Sequence, residues 1–489
     1  MRSLVVSLMV TLPLTATPSS VCGSCHGEIY RKYMQTPMAR SSGTPPDGPR
    51  FESVAAGFRI AQDTGGLSFR FTLEGEEIRR KLDYFIGAGL TGRSYLTSID
   101  GFLYQAPISY YASTNAWDLS PGYENANRMN LTREVEPSCL NCHASGVRWR
   151  FATVNGFEQP AFEEGGVSCD RCHGPGANHV AGARAGKRVK TSPIERGSLC
   201  TQCHLMGVAT IGKTVFVWDG LAREASVNGH MEQLARSRCA RSSGGKLWCG
   251  SCHDPHANVP ATNKSAYYRE RCLQCHTTAS CTAPARKSDD CIACHMTRSA
   301  ARTVQHASLT DHTIPRTASN QPVQAVPPDA RLAAFGGATA SDRDLGLAYA
   351  SLALRDNNRT QGLRAIALLE KADPAGFKVL TQLAQLLERA GQQQRACDLY
   401  ERAVQLDPAP VAAAVNLGSC YASRGQVERA IPLWQAALLR NPALEAARLN
   451  LAVALYRTGD TPAARAILNE GLRFNPASLR LRALLKETQ

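Results

Sequence analysis

The stretch CDRCHGPGANH, residues Cys169–His179, contains the pattern that decides how the first part of this chain folds. Two cysteines stand three residues apart, and a histidine follows the second one directly. Two thiols at this spacing can each add to one vinyl group of a haem, and the histidine then lies under the ring, where it can ligate the iron. The stretch therefore predicts one covalently attached c-type haem.

The same Cys-x-x-Cys-His pattern occurs seven times, and we number the copies motifs 1 to 7 in chain order: Cys22–Cys25–His26, Cys139–Cys142–His143, Cys169–Cys172–His173, Cys200–Cys203–His204, Cys249–Cys252–His253, Cys272–Cys275–His276 and Cys291–Cys294–His295. These copies predict seven c-type haems, each with two attachment cysteines and one proximal histidine. Zinc sites also use paired cysteines, but tetrahedral zinc gives no reason for a histidine after every pair. We therefore favour haem over zinc or disulfides.

A six-coordinate haem iron needs a second axial ligand, and the histidines outside the motifs are the first candidates. Of the 12 histidines, five remain after the seven proximal ones: His179, His230, His256, His306 and His312. Five residues cannot serve seven irons, so methionine is the next candidate. Met38 is the first choice, and the weaker ones are Met34, Met206 and Met296. An iron left without a sixth ligand would instead have the open site of a catalytic haem.

Four further cysteines lie outside the motifs. Cys239 and Cys281 could form a disulfide if the protein is exported, because extracytoplasmic compartments are oxidising. Cys397 and Cys420 fall in helical repeats, where we expect them to be small buried residues.

The beginning of the chain has the form of a secretory signal peptide over residues 1–20, with a basic Arg2 and an apolar stretch from Leu4 to Leu12. We expect a periplasmic or extracellular protein. No apolar run reaches about 18 residues, so the sequence predicts no transmembrane segment. The formal charge of +14 could suggest nucleic-acid binding. Haem propionates offset much of that charge, and we expect no nucleic-acid partner.

The positions of the motifs and the changes of composition along the chain predict several regions. Residues 21–316 hold the motifs and should form a heptahaem cytochrome domain packed around its cofactors. Within it, the period-two alternation of Gly57–Leu73 predicts a β-hairpin, and we expect a small β-rich insertion over about residues 51–110. Residues 317–340 resemble a linker in composition.

From residue 341 to 489 the sequence repeats every 34 residues, with prolines at 374, 408, 442 and 476. The best copy has Leu417, Gly418, Tyr421, Trp434 and Pro442 at the positions of a tetratricopeptide (TPR) repeat. We expect about four repeats and a final capping helix. The fold class is mainly α, and a TPR groove commonly binds a protein or peptide.

The chain resembles a bacterial family of exported multihaem cytochromes of the c-552/c-554 type fused to TPR repeats. The resemblance rests on CGSCHGEIYRKYMQTPMARS, PISYYASTNAWDLSPGYE, CDRCHGPGANHV, KLWCGSCHDPH and CIACHMTR with VQHASLTDHTIPR. It implies an electron carrier that serves redox partner proteins, with the five spare histidines and Met38 as distal ligands. The alternatives are a multihaem oxidoreductase acting on a small nitrogen or sulfur species, and a TPR-centred scaffold. The sequence has no CxxCK motif, which many pentahaem nitrite reductases use.

Overall fold

A computed structural model describes residues 17–45, 52–55, 57–123, 130–191, 194, 199–205, 207–219, 229–277, 281, 290–300, 308–316, 326–327, 329–372, 376–407 and 411–488. The first 16 residues of the expected signal peptide, His306 and Met206 lie outside these ranges. None of the helices in the described ranges is long and apolar enough to cross a membrane.

The first part of the chain is rich in antiparallel β-structure. Its strands are β1 Ser42–Gly43, β2 Glu52–Ala55, β3 Phe58–Asp63, β4 Gly66–Leu73, β5 Glu76–Lys81, β6 Tyr84–Ile86, β7 Gly92–Ile99, β8 Phe102–Tyr111, β9 Ala116–Leu119, β10 Ala144–Trp149 and β11 Phe157–Gly165. They form a four-stranded sheet, β2-β3-β4-β5, a five-stranded sheet, β1-β6-β7-β8-β9, and the pair β10-β11. The β-rich segment thus continues past residue 110 to the end of β9.

The expected hairpin is confirmed by strands β3 and β4, which pair antiparallel up to Asp63 and Gly66. Gly66 has a φ of 93°, a left-handed conformation that glycine adopts at little cost. The Asp63 carboxylate accepts a hydrogen bond from the Gly65 amide at 2.8 Å, which closes the turn. The alternating residues Phe58, Ile60 and Phe69 are buried and pack together on one face.

The haem motifs lie on short helices. Those before residue 296 are α1 Ser19–Gly23, α2 Gly27–Tyr33, α3 Pro137–His143, α4 Cys169–His173, α5 Ala177–Arg184, α6 Thr201–His204, α7 His230–Arg236, α8 Arg238–Ser242, α9 Cys249–Cys252, α10 Lys264–Leu273 and α11 Cys291–His295. The remaining strands are β12 Ala209–Ile211, β13 Thr214–Trp218, β14 Arg298–Ala300, β15 Ser308–Thr310 and β16 Leu332–Ala334. Among the described residues between 163 and 331, the only buried hydrophobic side chains are Ile211, Phe216 and Trp218. This region therefore lacks a side-chain core of ordinary size.

The last part of the chain is a row of antiparallel helix pairs. The helices are α12 Asp342–Asp356, α13 Arg359–Lys371, α14 Phe377–Arg389, α15 Gln393–Leu406, α16 Val411–Ser423, α17 Val427–Arg440, α18 Glu445–Arg457, α19 Thr461–Phe474 and α20 Leu479–Glu487. Gly418 shows why the repeat needs glycine, because a Cβ there would lie 2.6 Å from the indole nitrogen of Trp434. The helix count agrees with four repeats and a capping helix.

The segment expected as a linker contains an ordered strand. Strand β16 pairs antiparallel with β13 in the three-stranded sheet β12-β13-β16. The Leu332 amide also donates a hydrogen bond to the Tyr349 hydroxyl of α12 at 2.8 Å. Residues 332–334 therefore attach the first repeat to the haem-motif region, because their backbone groups complete a sheet edge there.

The last repeats contact the β-rich region as well. Phe474 of α19 is buried and packs edge-on against Tyr104 of β8, with ring centroids 6.2 Å apart. Arg473 forms an ion pair with Asp100, and Asn441 donates a hydrogen bond to Glu134 at 2.6 Å. The helical array is thus held at both ends by the first part of the chain.

The disulfide expectation was wrong. Cys397 of α15 and Cys420 of α16 form a disulfide, with Cα atoms 5.8 Å apart, whereas Cys239 and Cys281 carry free thiols. The physical reason is that neighbouring helices of the array bring the first pair within bridging distance. Sequence spacing alone gave no sign of this contact.

Candidate haem-binding site

Residues from all seven motifs line one cavity of about 3470 Å³. An ordinary small-molecule pocket has a volume of about 300–1,000 Å³, so this cavity has room for several large ligands. It lies in the region where few hydrophobic side chains are buried. A set of large, mostly apolar cofactors would supply the missing core, and the residues present therefore fit haem.

Each motif is shaped as about one helical turn. In motifs 1, 4 and 5 the histidine amide donates a hydrogen bond to the carbonyl of the first cysteine at 2.9 Å. Residues three and four apart share one face of a helical turn. The turn therefore directs both thiols and the imidazole of a motif to the same side, as attachment to a single ring requires.

The structure pairs four proximal histidines with four histidines that lie outside the motifs. The ring centroids of His26 and His179 are 6.4 Å apart, and the rings are inclined by 17°. For His173 and His256 the distance is 5.9 Å and the angle 14°. Because a metal–imidazole nitrogen bond is about 2 Å long, two rings that share one metal ion have centroids roughly 6 Å apart. Both pairs have the spacing of a bis-histidine iron site.

Two further pairs involve a more crowded group of rings. His253 and His312 have ring centroids 6.4 Å apart, and His204 and His230 are 5.3 Å apart. His230 is also 4.7 Å from His312, in an edge contact of 76°. The four rings together could provide axial pairs for motifs 4 and 5.

Hydrogen bonds orient several of these rings. The Nδ1 atom of His179 lies 2.6 Å from the Val189 carbonyl, and that of His312 lies 2.9 Å from the Thr310 carbonyl. His295 of motif 7 has the same contact with the Pro315 carbonyl at 2.8 Å. A carbonyl can only accept, so each Nδ1 carries the proton and each Nε2 is free to bind a metal.

The surroundings of six of these imidazoles favour the neutral form. Burial is the largest cause that lowers the pKa of five of them: His143, His173, His204, His253 and His312. Burial, with three neighbouring histidines, lowers the pKa of His230 to about 4. Neutral imidazole is the form that ligates a metal ion.

Thiols of different motifs lie side by side. Hydrogen-bond contacts join Cys22 to Cys169, Cys142 to Cys203, Cys200 to Cys249, and Cys272 to Cys291. Cys172 of motif 3 also lies near enough to the thiols of motif 4, and Cys252 of motif 5 to Cys275 of motif 6, for their charges to interact. The motifs thus form one connected series in the order 1, 3, 4, 5, 6 and 7, with motif 2 beside motif 4.

Three proximal histidines have no ring contact with a second histidine in the described part of the chain: His143, His276 and His295. The Ser41 hydroxyl lies 2.9 Å from the carbonyl oxygens of both Met38 and His143, which brings the Met38 turn beside motif 2. Met38 and Met296 line the cavity, whereas Met34 does not. The Nδ1 atom of His143 is buried without a hydrogen-bond partner among the described residues.

The zinc alternative finds no support in this arrangement. Within the ranges given above, no group of three or more His, Cys, Asp or Glu side chains converges as a metal site. Structural zinc requires four such ligands. Two facing histidines with two thiols beside one of them are the donor set that a c-type haem takes.

Sequence reasoning missed several residues that support the site. They are the carbonyls of Val189 and Pro315, and Tyr268, whose hydroxyl lies 3.2 Å from the His253 Nδ1 atom. A backbone carbonyl leaves no signal in a sequence. The tyrosine could have been found only from its place in the fold.

Comparison with known proteins adds to this picture. Residues 381–445 and 423–487 match tetratricopeptide repeat families, and residues 110–174, which include motifs 2 and 3, match the family described as cytochrome c554 and c-prime. No curated protein matches the chain. The C-terminal helices are TPR repeats, which indicate protein–protein interaction, and the cytochrome match indicates c-type haem and electron transfer.

Solved structures that include TPR proteins resemble about 30% of this chain. MamA AMB-1 is 25% identical over 30% of this chain and 78% of its own, with a TM-score of 0.26. YrrB, described as a TPR protein with an unusual peptide-binding site, is 18% identical over 29% of this chain and 74% of its own, with a TM-score of 0.26. With TM-scores this low, these likenesses do not bear on function.

Proposed function

We propose that this chain is an exported multihaem c-type cytochrome that transfers electrons through seven covalently attached haems and binds a partner protein through its TPR repeats. The observation that carries the proposal is a set of histidine pairs inside one cavity lined by all seven motifs. In each pair the rings have the spacing of two imidazoles that share one metal ion. Local motifs alone do not require such long-range pairing.

The residues divide into three roles. The fourteen motif cysteines form the thioether attachments and the seven motif histidines are proximal ligands. Distal ligands come from His179 for motif 1, His256 for motif 3, His230 for motif 4 and His312 for motif 5. Met38 serves motif 2, and His306 is the remaining histidine candidate. A bound haem supplies a one-electron ferric–ferrous couple whose potential depends on axial ligands and burial.

The contacts between motifs support electron transfer over single-site chemistry. Thiols of motifs 1 and 3, 2 and 4, 4 and 5, and 6 and 7 form hydrogen-bond contacts, so the groups attached to these thiols must be near neighbours. Three of the distal histidines, His179, His256 and His312, also follow a different motif from the one whose proximal histidine they face. Such crossing ties the motif segments together and fixes the spacing between neighbouring sites.

Export is the third element of the proposal. The Cys397–Cys420 disulfide fits an oxidising compartment. The Thr17 amide donates to Asp170 at 2.7 Å and the Ser19 amide to Glu164 at 3.0 Å, and both residues are buried. A cleavage site before Thr17 would preserve these contacts, so we place the signal-peptide end there rather than at residue 20.

Mass spectrometry tests the haem count. Protein expressed with c-type maturation machinery should have the mass of the mature polypeptide plus seven haems, and five or fewer would overturn the proposal. Cys142→Ala should weaken or lose attachment at motif 2 only. Cys239→Ala is the matched control, because Cys239 lies outside the motifs and should leave the haem count unchanged.

A second candidate is an oxidoreductase that works at an open haem of motif 2. The observation that favours it is the absence of a histidine ring beside His143 among the described residues. Electron paramagnetic resonance of the oxidised protein separates the two functions. An all low-spin spectrum that cyanide leaves unchanged fits the carrier, whereas a high-spin signal of about one haem that cyanide removes fits the enzyme.

A further inference from the structure

A strongly basic loop follows motif 3. It comprises the end of α5 and the turn after it, residues 184–190, and it carries four exposed cations: Arg184, Lys187, Arg188 and Lys190. None of the four forms an ion pair with an acidic residue in the part of the chain that the structure describes. Their combined charge is therefore available to a partner.

The loop is folded back firmly on its own helix. The Lys187 amide donates a hydrogen bond to the Gly182 carbonyl at 2.8 Å. Val189 packs directly on Gly182, since a Cβ at that glycine would lie 2.3 Å from a Val189 methyl carbon. These contacts fix the backbone that carries the cations, so the loop itself need not be ordered on binding, which reduces the entropy cost.

The loop is also joined to one particular haem site. The carbonyl of Val189 accepts the hydrogen bond from His179 Nδ1 at 2.6 Å, and the His179 ring faces His26 of motif 1. Arg184 lines the cavity, where it can pair with a haem propionate, whereas the other three cations do not line it. Motif 1 is at one end of the connected series of motifs, which is where electrons would enter or leave.

We propose that this basic loop docks an acidic electron-transfer protein and that electrons pass between that partner and the haem held by His26 and His179. The inference rests on the proposed function and names the partner class of that site. Complementary charge steers association and can raise on-rates by about 10–10³-fold at low salt. The backbone bond from Val189 to His179 places the docking surface next to the haem ligand.

The test compares two triple variants that remove the same charge. The loop variant is Lys187→Gln, Arg188→Gln and Lys190→Gln, and the control is Lys378→Gln, Arg402→Gln and Lys486→Gln, three exposed TPR residues. Photoreduced flavodoxin, an acidic one-electron protein donor, reduces each holoprotein in a stopped-flow experiment. We expect the loop variant to lower the bimolecular rate constant about tenfold at an ionic strength of about 0.01 M, and the control to stay near wild type.

The salt dependence supplies the second readout. At about 1 M ionic strength, charges more than about 3 Å apart are screened, so all three proteins should react at similar rates. Equal bimolecular rate constants for the loop variant and the control variant at low salt would overturn the docking inference. This holds whether or not a haem reduction potential differs between the two variants. A wild-type protein without the reduced c-type α band would overturn the proposed function and this inference with it.

Discussion

The imidazole rings of His173 and His256 lie 5.9 Å apart between centroids and are inclined by only 14°, although one belongs to motif 3 and the other follows motif 5. The bis-histidine proposal predicts that His256→Ala leaves the haem of motif 3 without its distal ligand. About one haem equivalent of the low-spin signal should become high-spin and bind carbon monoxide. Asp254→Asn is the control, because it alters a neighbour 3.8 Å from the His256 ring and keeps the imidazole. Electron paramagnetic resonance and carbon monoxide titration are applied to both variants. An unchanged spectrum of H256A would contradict the pairing of His173 with His256.

Met38→His should convert the haem of motif 2 from histidine–methionine to bis-histidine ligation. Its reduction potential should fall, since imidazole favours ferric iron more than a thioether does. Axial ligands span about 0.8 V of potential, so a spectroelectrochemical titration should detect one haem that moves down while the others stay. Met34→His is the matched control because Met34 does not line the cavity. An equal shift in both variants would rule out Met38 as a ligand.

Phe474 should stabilise the contact between the last repeats and the β-rich region. It is 1% exposed and packs on Tyr104, so Phe474→Ala should cost about 3–5 kcal/mol of unfolding free energy. Leu479→Ala removes a side chain that is 75% exposed, and its effect should stay within about 0.5 kcal/mol. Urea unfolding followed by circular dichroism compares the two. Similar losses would mean that the contact adds nothing to stability.

Residues 341–489 should fold when expressed alone, as a helical array without haem, because TPR repeats bury their apolar faces on one another. The fragment loses its contacts with Tyr104 and Leu332, so it should unfold at lower urea than the whole chain. Far-ultraviolet circular dichroism measures the helix content. A disordered spectrum would show that the repeats depend on the first part of the chain.

Two carboxylates of the β-rich region should respond to pH in opposite directions. Burial raises the pKa of Asp83, so its favourable contribution is present below about pH 4 and is lost as the pH rises through the raised value. The Gly65 amide, with Arg79 and Arg70, lowers the pKa of Asp63, so its contribution is present above about pH 4 and is lost as the pH falls.

Asp83→Asn should therefore raise the thermal midpoint at pH 7 and have little effect at pH 3. Asp63→Asn should lower the midpoint at pH 7 and lose its effect towards pH 2. Scanning calorimetry at these pH values measures each difference from wild type. The same sign for both variants at pH 7 would contradict the assigned pKa directions.

Local sequence patterns predicted a large part of this molecule. The haem motifs, the β3–β4 hairpin and the TPR helices each depend on residues that are close in sequence, so spacing alone reveals them. The set of spare histidines was predicted in the same way, because counting donors needs no coordinates. The extent of the β-rich segment was underestimated, since strand β9 lies in a stretch with little alternation.

The tertiary structure decided which distant residues meet. It placed His179 opposite His26 and joined Cys397 to Cys420 in a disulfide. It also paired strand β16, which lies within the expected linker, with strand β13 of a sheet. Each of these contacts depends on how separate segments of the chain pack. The order of residues along the sequence does not show how close two distant segments lie in space. The sequence by itself therefore determined which residues are candidates to attach and ligate haem, whereas the packing of the chain determined which of these candidates lie close together.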